Sequence, residues 1–249
     1  MKTKKTGKTM RVAGLLLALV LVTSCFVGGT FAKYVTSGTG ADHAKVAKWG
    51  VKVTAHETGD IFASTYDQIE GQDNTVIAGD NYKVIAPGTK KENAAVVSLS
   101  GKPEVKVKVT YKADDFALTG KWAYNDGQAG SVDQYYCPLI FKITDGTKTT
   151  TIDCMGAGMS SVDDVKTAVK NAVESFSATY APNMDLSTKG NEGLKISWEW
   201  PFEGGNAHPN QTDVKDTYLG NLATTTGAES HNTIPAVYVV VTATVTQID

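Results

Sequence analysis

Histidine is scarce in this chain, at four residues in 249, and cysteine is scarcer, at three. His43, His56, His208 and His231 never stand one helical turn apart. His56-Glu57 is followed by Thr58-Gly59-Asp60, so the second histidine of the H-E-x-x-H zinc-protease helix is missing. There is no G-x-S-x-G nucleophile elbow, and neither Cys137 nor Cys154 has a histidine beside it in sequence. These absences argue against hydrolytic catalysis, and the expectation is a protein that is not an enzyme. Asp60, Asp67, Asp73 and Asp80, with Asp213 and Asp216, are oxygen donors of the type calcium uses, but their spacing matches no EF-hand, and solvated surface charge is the expectation. No cofactor and no metal site is expected. No Pro/Gly-rich linker divides the chain, and after residue 32 no apolar run approaches the ~20 residues that span a bilayer.

What is present begins at the N-terminus. Lys2, Lys4, Lys5, Lys8 and Arg11 precede an almost unbroken apolar run from Val12 to Val22, followed by Gly28-Gly29-Thr30-Phe31-Ala32-Lys33-Tyr34. A positive start, a short apolar core and a small-residue end are the layout of a secretory signal peptide. Thr30-Phe31-Ala32 places a cut between Ala32 and Lys33. Val22-Thr23-Ser24-Cys25 offers a second reading as a lipobox, with Cys25 as a lipid-bearing N-terminus. The expected division is a signal peptide over 1–32 and one domain over 33–249. Contact with a membrane would come only through the uncut signal peptide or a lipid on Cys25. Removing 1–32 takes five basic and no acidic residues, leaving 19 against 26, a formal charge of −7. That balance argues against nucleic acid as a partner.

Cys137 and Cys154 remain after the cut, and an even count in a secreted chain suggests pairing. Tyr135–Thr144 and Thr147–Cys154 read as two strands around an Asp145-Gly146 turn. If that pair is the whole loop, Thr144 faces Thr147 and Cys137 falls opposite Cys154, at a separation a disulfide can bridge. Two free thiols or a slipped register remain the alternatives.

Most of the rest reads as strand. Val46 to His56 alternates in part, with Trp49, Val51 and Val53 on one face, and Tyr82 to Ala86 ends at Pro87-Gly88. Ala94 to Leu99 is apolar. Val105 to Lys112 alternates strictly, and Phe116 to Tyr124 reads as its neighbour across Asp114-Asp115. Leu194 to Trp200 carries Trp198 and Trp200 on one face, where core packing outweighs a carbohydrate platform. Ala236 to Val245, rich in β-branched residues, is expected to be a central strand. Ser161 to Ala178 breaks the pattern: Val162, Val165, Val169, Val173 and Phe176 recur at helical spacing, Ser161 can cap the start, and Pro182 marks the end. The expectation is a mainly β, jelly-roll-like antiparallel β-sandwich with one amphipathic helix, about 161–178, and long loops. A sandwich has edges, and edges invite strands from other chains.

Gly28-Gly29-Thr30-Phe31-Ala32-Lys33-Tyr34, the Val46-x-x-Trp49-Gly50-Val51 core, Ile85-Ala86-Pro87-Gly88 and the apolar stretch Ala94 to Leu99 after it resemble the TasA/camelysin family of Gram-positive bacteria. Lys195 to Phe202, Asp216-Thr217-Tyr218-Leu219-Gly220 and the valine-rich final strand are similar to a subgroup from anaerobic Firmicutes. The resemblance favours cleavage at Ala32 by a SipW-type signal peptidase. It implies a secreted biofilm-matrix or cell-surface protein that forms fibres with itself or with a related matrix protein. Its N-terminal segment, Lys33 to about Asp42 with Lys33, Tyr34, Val35 and Thr36 at the front, would add as a strand to the next subunit. A monomeric surface adhesin or carbohydrate-binding module is the first alternative. A camelysin-like secreted metalloprotease is the second, although the zinc motif is absent.

Overall fold

Alternating apolar and polar residues build most of this protein from antiparallel strands. The computed structural model describes residues 13–17, 45–55, 61–68, 72–79, 82–188, 193–202, 210–224 and 230–249. Two units are present, Met1–Val46 and Ala47–Asp249. In the first, residues 13–17 are helical and exposed. No helix among the described residues is long and apolar enough to cross a membrane. Cys25, the Ala32/Lys33 junction and the candidate donor Lys33, Tyr34, Val35 and Thr36 lie outside the described residues.

The second unit carries the strands β1 (Lys52–Ala55), β2 (Thr65–Gln68), β3 (Gln72–Ile77), β4 (Lys90–Ser100), β5 (Val107–Thr119), β6 (Ala123–Tyr124), β7 (Gln134–Tyr135), β8 (Ile140–Thr144), β9 (Thr149–Asp153), β10 (Ser177–Tyr180), β11 (Gly193–Glu199) and β12 (Ala236–Gln247). Its helices are α1 (Val162–Ser175), α2 (Asp213–Leu222) and α3 (Ser230–Thr233). One sheet has the order β1-β4-β11-β8-β9 and the other β10-β5-β12, while β2-β3 and β6-β7 form small pairs. The two main sheets enclose one apolar core. Phe116 of β5 meets Phe141 of β8 edge to face across the layers, at 5.4 Å between ring centroids. Both rings are buried, and each such side chain contributes about 1.5–3 kcal/mol by leaving water.

Trp198 and Trp200 are core residues, 2% and 5% exposed. The indole N–H of Trp198 donates to the Ile61 carbonyl at 2.8 Å, and Phe62 and Tyr66 pack on its ring. Buried indole therefore finds its polar partner inside the fold, which removes the carbohydrate-platform reading of this pair.

The helix expected over 161–178 is α1. Ser161 caps it by accepting from the Asp164 N–H, and Val165, Val169, Ala172 and Val173 are its buried stripe. It ends earlier than expected, because Phe176 turns extended and Ser177–Tyr180 pairs with β5. Asp114-Asp115 is not a turn. β5 runs through it as one thirteen-residue strand, with Asp114 bulged out between Val240↔Asp115 and Val241↔Ala113. The bulge flips the alternation, so Val107, Val109, Tyr111 and Ala113 point inward before it, and Phe116 and Leu118 after it. The Asp114 carboxylate accepts from Thr242 and pairs with Lys112 at 2.9 Å. Trp49 and Val53 do not share a buried face, since each is 42% exposed.

Candidate strand-acceptor edge and the polar sites

Every open sheet margin is a row of unpaired backbone donors and acceptors. The five-stranded sheet ends in β1 and β9, of four and five residues, and one side of the smaller sheet ends in β10, of four. The other side ends in β12, which is twelve residues long. The final strand is thus an edge strand, not the central one its valines suggest, and β5 is the centre of that sheet. β12 pairs with β5 along its whole length, from Ala236↔Thr119 to Gln247↔Val107. No strand pairs with its outer margin among the described residues.

Burial differs between the two strands. Val237, Val239, Val241, Ala243 and Val245 face the same way as Leu118, Phe116, Ala113, Tyr111 and Val109 opposite them. The β5 residues are 0–8% exposed, whereas the β12 residues are only partly buried. On the outer face Tyr238 is 57% exposed and Val240 47%. β12 contains no charged residue and no proline, the usual devices that blunt an edge. α1 packs against β5 and β9. Its Phe176 end is held by Lys148, whose ammonium sits 5.3 Å from the ring centre.

The ends of β12 are pinned. The Ile248 N–H donates to Lys106 O at 3.0 Å, and the Trp122 indole N–H donates to Ala236 O at 3.4 Å. Gly120 follows β5 with φ +73°, and a Cβ there would lie 1.9 Å from Ile234 O. Only glycine allows the backbone entering β12 to come that close.

The cysteine pair departs from expectation. The β8–β9 loop is four residues, Asp145-Gly146-Thr147-Lys148, with Thr144 opposite Thr149. Asp145 Oδ1 stabilises it by accepting from the N–H groups of Thr147 (2.9 Å) and Lys148 (2.8 Å). That register places Cys154 against Leu139, to whose carbonyl its N–H donates at 3.0 Å, and not against Cys137. Both cysteines are fully buried free thiols, with no disulfide between them. A hydrogen bond with Cys137, and then burial, push the Cys154 thiol up.

Asp216 is not surface charge. It is 6% exposed and accepts from the Tyr136 hydroxyl (2.5 Å), the Trp200 indole (3.3 Å) and the Gln211 amide (3.0 Å). These donors occupy the oxygens a cation would need and fasten α2 to the sheet. Burial, then the Asp216 hydrogen bond, push the Tyr136 phenol up. The Gln211 amide also donates to Pro201 O, while its own Oε1 is buried without a partner among the described residues. No periodicity in the sequence marks Tyr136 or Gln211 as partners of Asp216. Asp213 sits in the first turn of α2, where negative charge is favourable. No group of three or more His, Cys, Asp or Glu side chains among the described residues could hold a metal ion. His43, His56 and His208, with Asp60 and Asp80, lie outside the described residues.

Comparison with family models, with curated proteins and with solved structures finds no match to this chain.

Proposed function

We propose that this chain is a secreted, non-catalytic subunit of an extracellular matrix or cell-surface fibre of a Gram-positive bacterium, assembled by strand addition. A SipW-type peptidase would free Lys33, and the segment from Lys33 to about Asp42 of one copy would pair with the open margin of β12 in the next, or in a related matrix protein. The observation that carries the reading is the half-buried apolar face of β12 beside the fully buried face of β5. Main-chain hydrogen bonds would supply affinity and the inner-face positions register. Ten extended residues reach ~33 Å, which fits within the ~40 Å of a twelve-residue strand. Tyr34 and Val35 are adjacent, so one would enter the apolar row and the other would face Tyr238 and Val240. The contact is head to tail, which yields filaments when the rotation does not close. The test is negative-stain electron microscopy of protein beginning at Lys33 beside protein beginning at Ala44. Filaments from the first alone support strand addition, and monomers from both overturn self-assembly.

A further inference from the structure

The solvent face of the five-stranded sheet carries a groove of about 260 Å³ that the edge of β12 has no part in. Its floor is set by a bulge. Between Ile196↔Ala94 and Trp198↔Lys91, the single residue Ser197 of β11 opposes two residues of β4, Glu92 and Asn93. Asn93 takes φ +52°, a left-handed conformation that asparagine tolerates better than most residues. Its N–H leaves the strand ladder and donates to Ser197 Oγ at 3.0 Å. Ser197 is thereby used as an acceptor, and its own proton is left to donate outward. Bulges re-aim side chains in this way and recur beside binding sites.

Lys142 of β8 stands directly opposite Ser197, and Glu199 is two residues further along β11. Lys142 and Glu199 are therefore diagonal neighbours, ~7–8 Å apart at the backbone. Neither makes an ion pair among the described residues. The groove so presents an ammonium and a carboxylate without an ion-pair partner among the described residues, a hydroxyl engaged only as the acceptor of the Asn93 N–H, and the Asn93 carboxamide. Glu92 is held at the rim by Lys90, at 3.2 Å. Ile140 is the one aliphatic residue in the lining whose side chain shares this face, through its pairing with Glu199.

This chemistry selects a ligand. With Glu92 paired to Lys90, Glu199 balances Lys142, so the groove has no net positive charge to draw phosphates and other anions. A single isoleucine gives too little apolar area for a lipid. Interleaved donors and acceptors, a small apolar spot and a volume just under the ~300 Å³ lower bound of ordinary ligand sites suit one ring of a neutral polyhydroxylated compound. We infer that this groove binds a neutral saccharide unit, with Ser197 and Lys142 donating to ring hydroxyls and Glu199 accepting from them.

The test is a titration of the purified, isotope-labelled protein with chitotriose, cellotriose and mannotriose, followed through its backbone amide spectrum. Saturable shifts at residues 92–93, 142–144 and 197–199 with at least one of the three are expected, in the millimolar range typical of weak sites. The double variant Lys142→Ala/Glu199→Gln should weaken that binding at least about tenfold while the rest of its spectrum stays unchanged, since Lys142 is exposed and Glu199 is partly so. The single variant Ser197→Ala should weaken it independently of any charge. The inference is overturned by no shifts at these amides with any of the three sugars, by shifts that survive the double variant, or by inorganic phosphate shifting the same amides more strongly than the sugars do.

Discussion

Val245 lies directly opposite Val109 on the same face of the same sheet, yet Val109 is wholly buried and Val245 only partly so. The same contrast holds at Phe116, 3% exposed, and half-buried Val239. The apolar layer is continuous up to β5 and stops at β12.

An inward-pointing charge on β12 should therefore prevent strand addition while leaving the domain folded. Val241→Lys places an ammonium in the open apolar row, a device natural edges use against pairing. The expected outcome is a cooperative melt within ~1–3 kcal/mol of the parent and no filaments under the microscope. Filaments of normal length from this variant would remove β12 as the acceptor.

The two thiols give a separate test of the β8–β9 register. Cys137 and Cys154 are fully buried, and Cys154 is held protonated by its hydrogen bond with Cys137 and by burial. Reactivity follows the exposed thiolate. Protein beginning at Lys33 should show no thiol reacting with a chromogenic disulfide reagent in native buffer and two after denaturation. None after denaturation would mean that the pair is oxidised.

Acid should loosen the hairpin that carries one side of the saccharide groove. Burial acts to raise the Asp145 carboxyl, but hydrogen bonds from Lys148 and Thr147 outweigh it and hold the group below its ordinary value. A carboxylate depressed in the folded state contributes stability above the unfolded value of about 3.9, and that contribution is lost as pH falls through the folded value. Asp145→Asn should therefore cost stability at pH 7 and differ little from the parent near pH 2. Urea denaturation at both pH values checks the crossover, and an equal loss at both would contradict it.

Gly120→Ala should destabilise by at least about 1–2 kcal/mol, because the new Cβ would meet Ile234 O in a backbone conformation that alanine disfavours. Thermal denaturation measures it. An unchanged midpoint would show that the entry to β12 is looser than the geometry indicates.

Periodicity made much of this fold legible. The strict alternation from Val105 to Lys112 and the 3.6-residue spacing from Val162 to Phe176 depend only on which side of an element faces the core, and they are present as a strand from Val107 and a helix as far as Ser175. What failed was information about neighbours. β-branched residues at Ala236–Val245 indicate a half-buried pleated surface, but not whether one strand or two flank it. Asp114-Asp115 resembles a turn until its carboxylate is seen bridged by Thr242 and Lys112. The position of Cys137 relative to Cys154 hung on loop length, and Asp145 uses its side chain to build four residues where Asp-Gly suggests two. The groove over Ser197 was equally hidden, because the bulge that shapes it is a mismatch between β4 and β11 whose residues lie 104 positions apart.

The pairing of β12 with β5 joins Val107 to Gln247, 140 positions on. During synthesis, β5 therefore emerges long before its partner and must wait with that margin uncovered. Contacts of such separation fold slowly. The aggregation risk of this protein is then concentrated in an interval of time, between the arrival of β5 and that of β12, when the exposed strand is the one that begins with Val107 and Val109. Factors that hold the chain during that interval should raise the yield of folded protein more than any substitution on the finished surface.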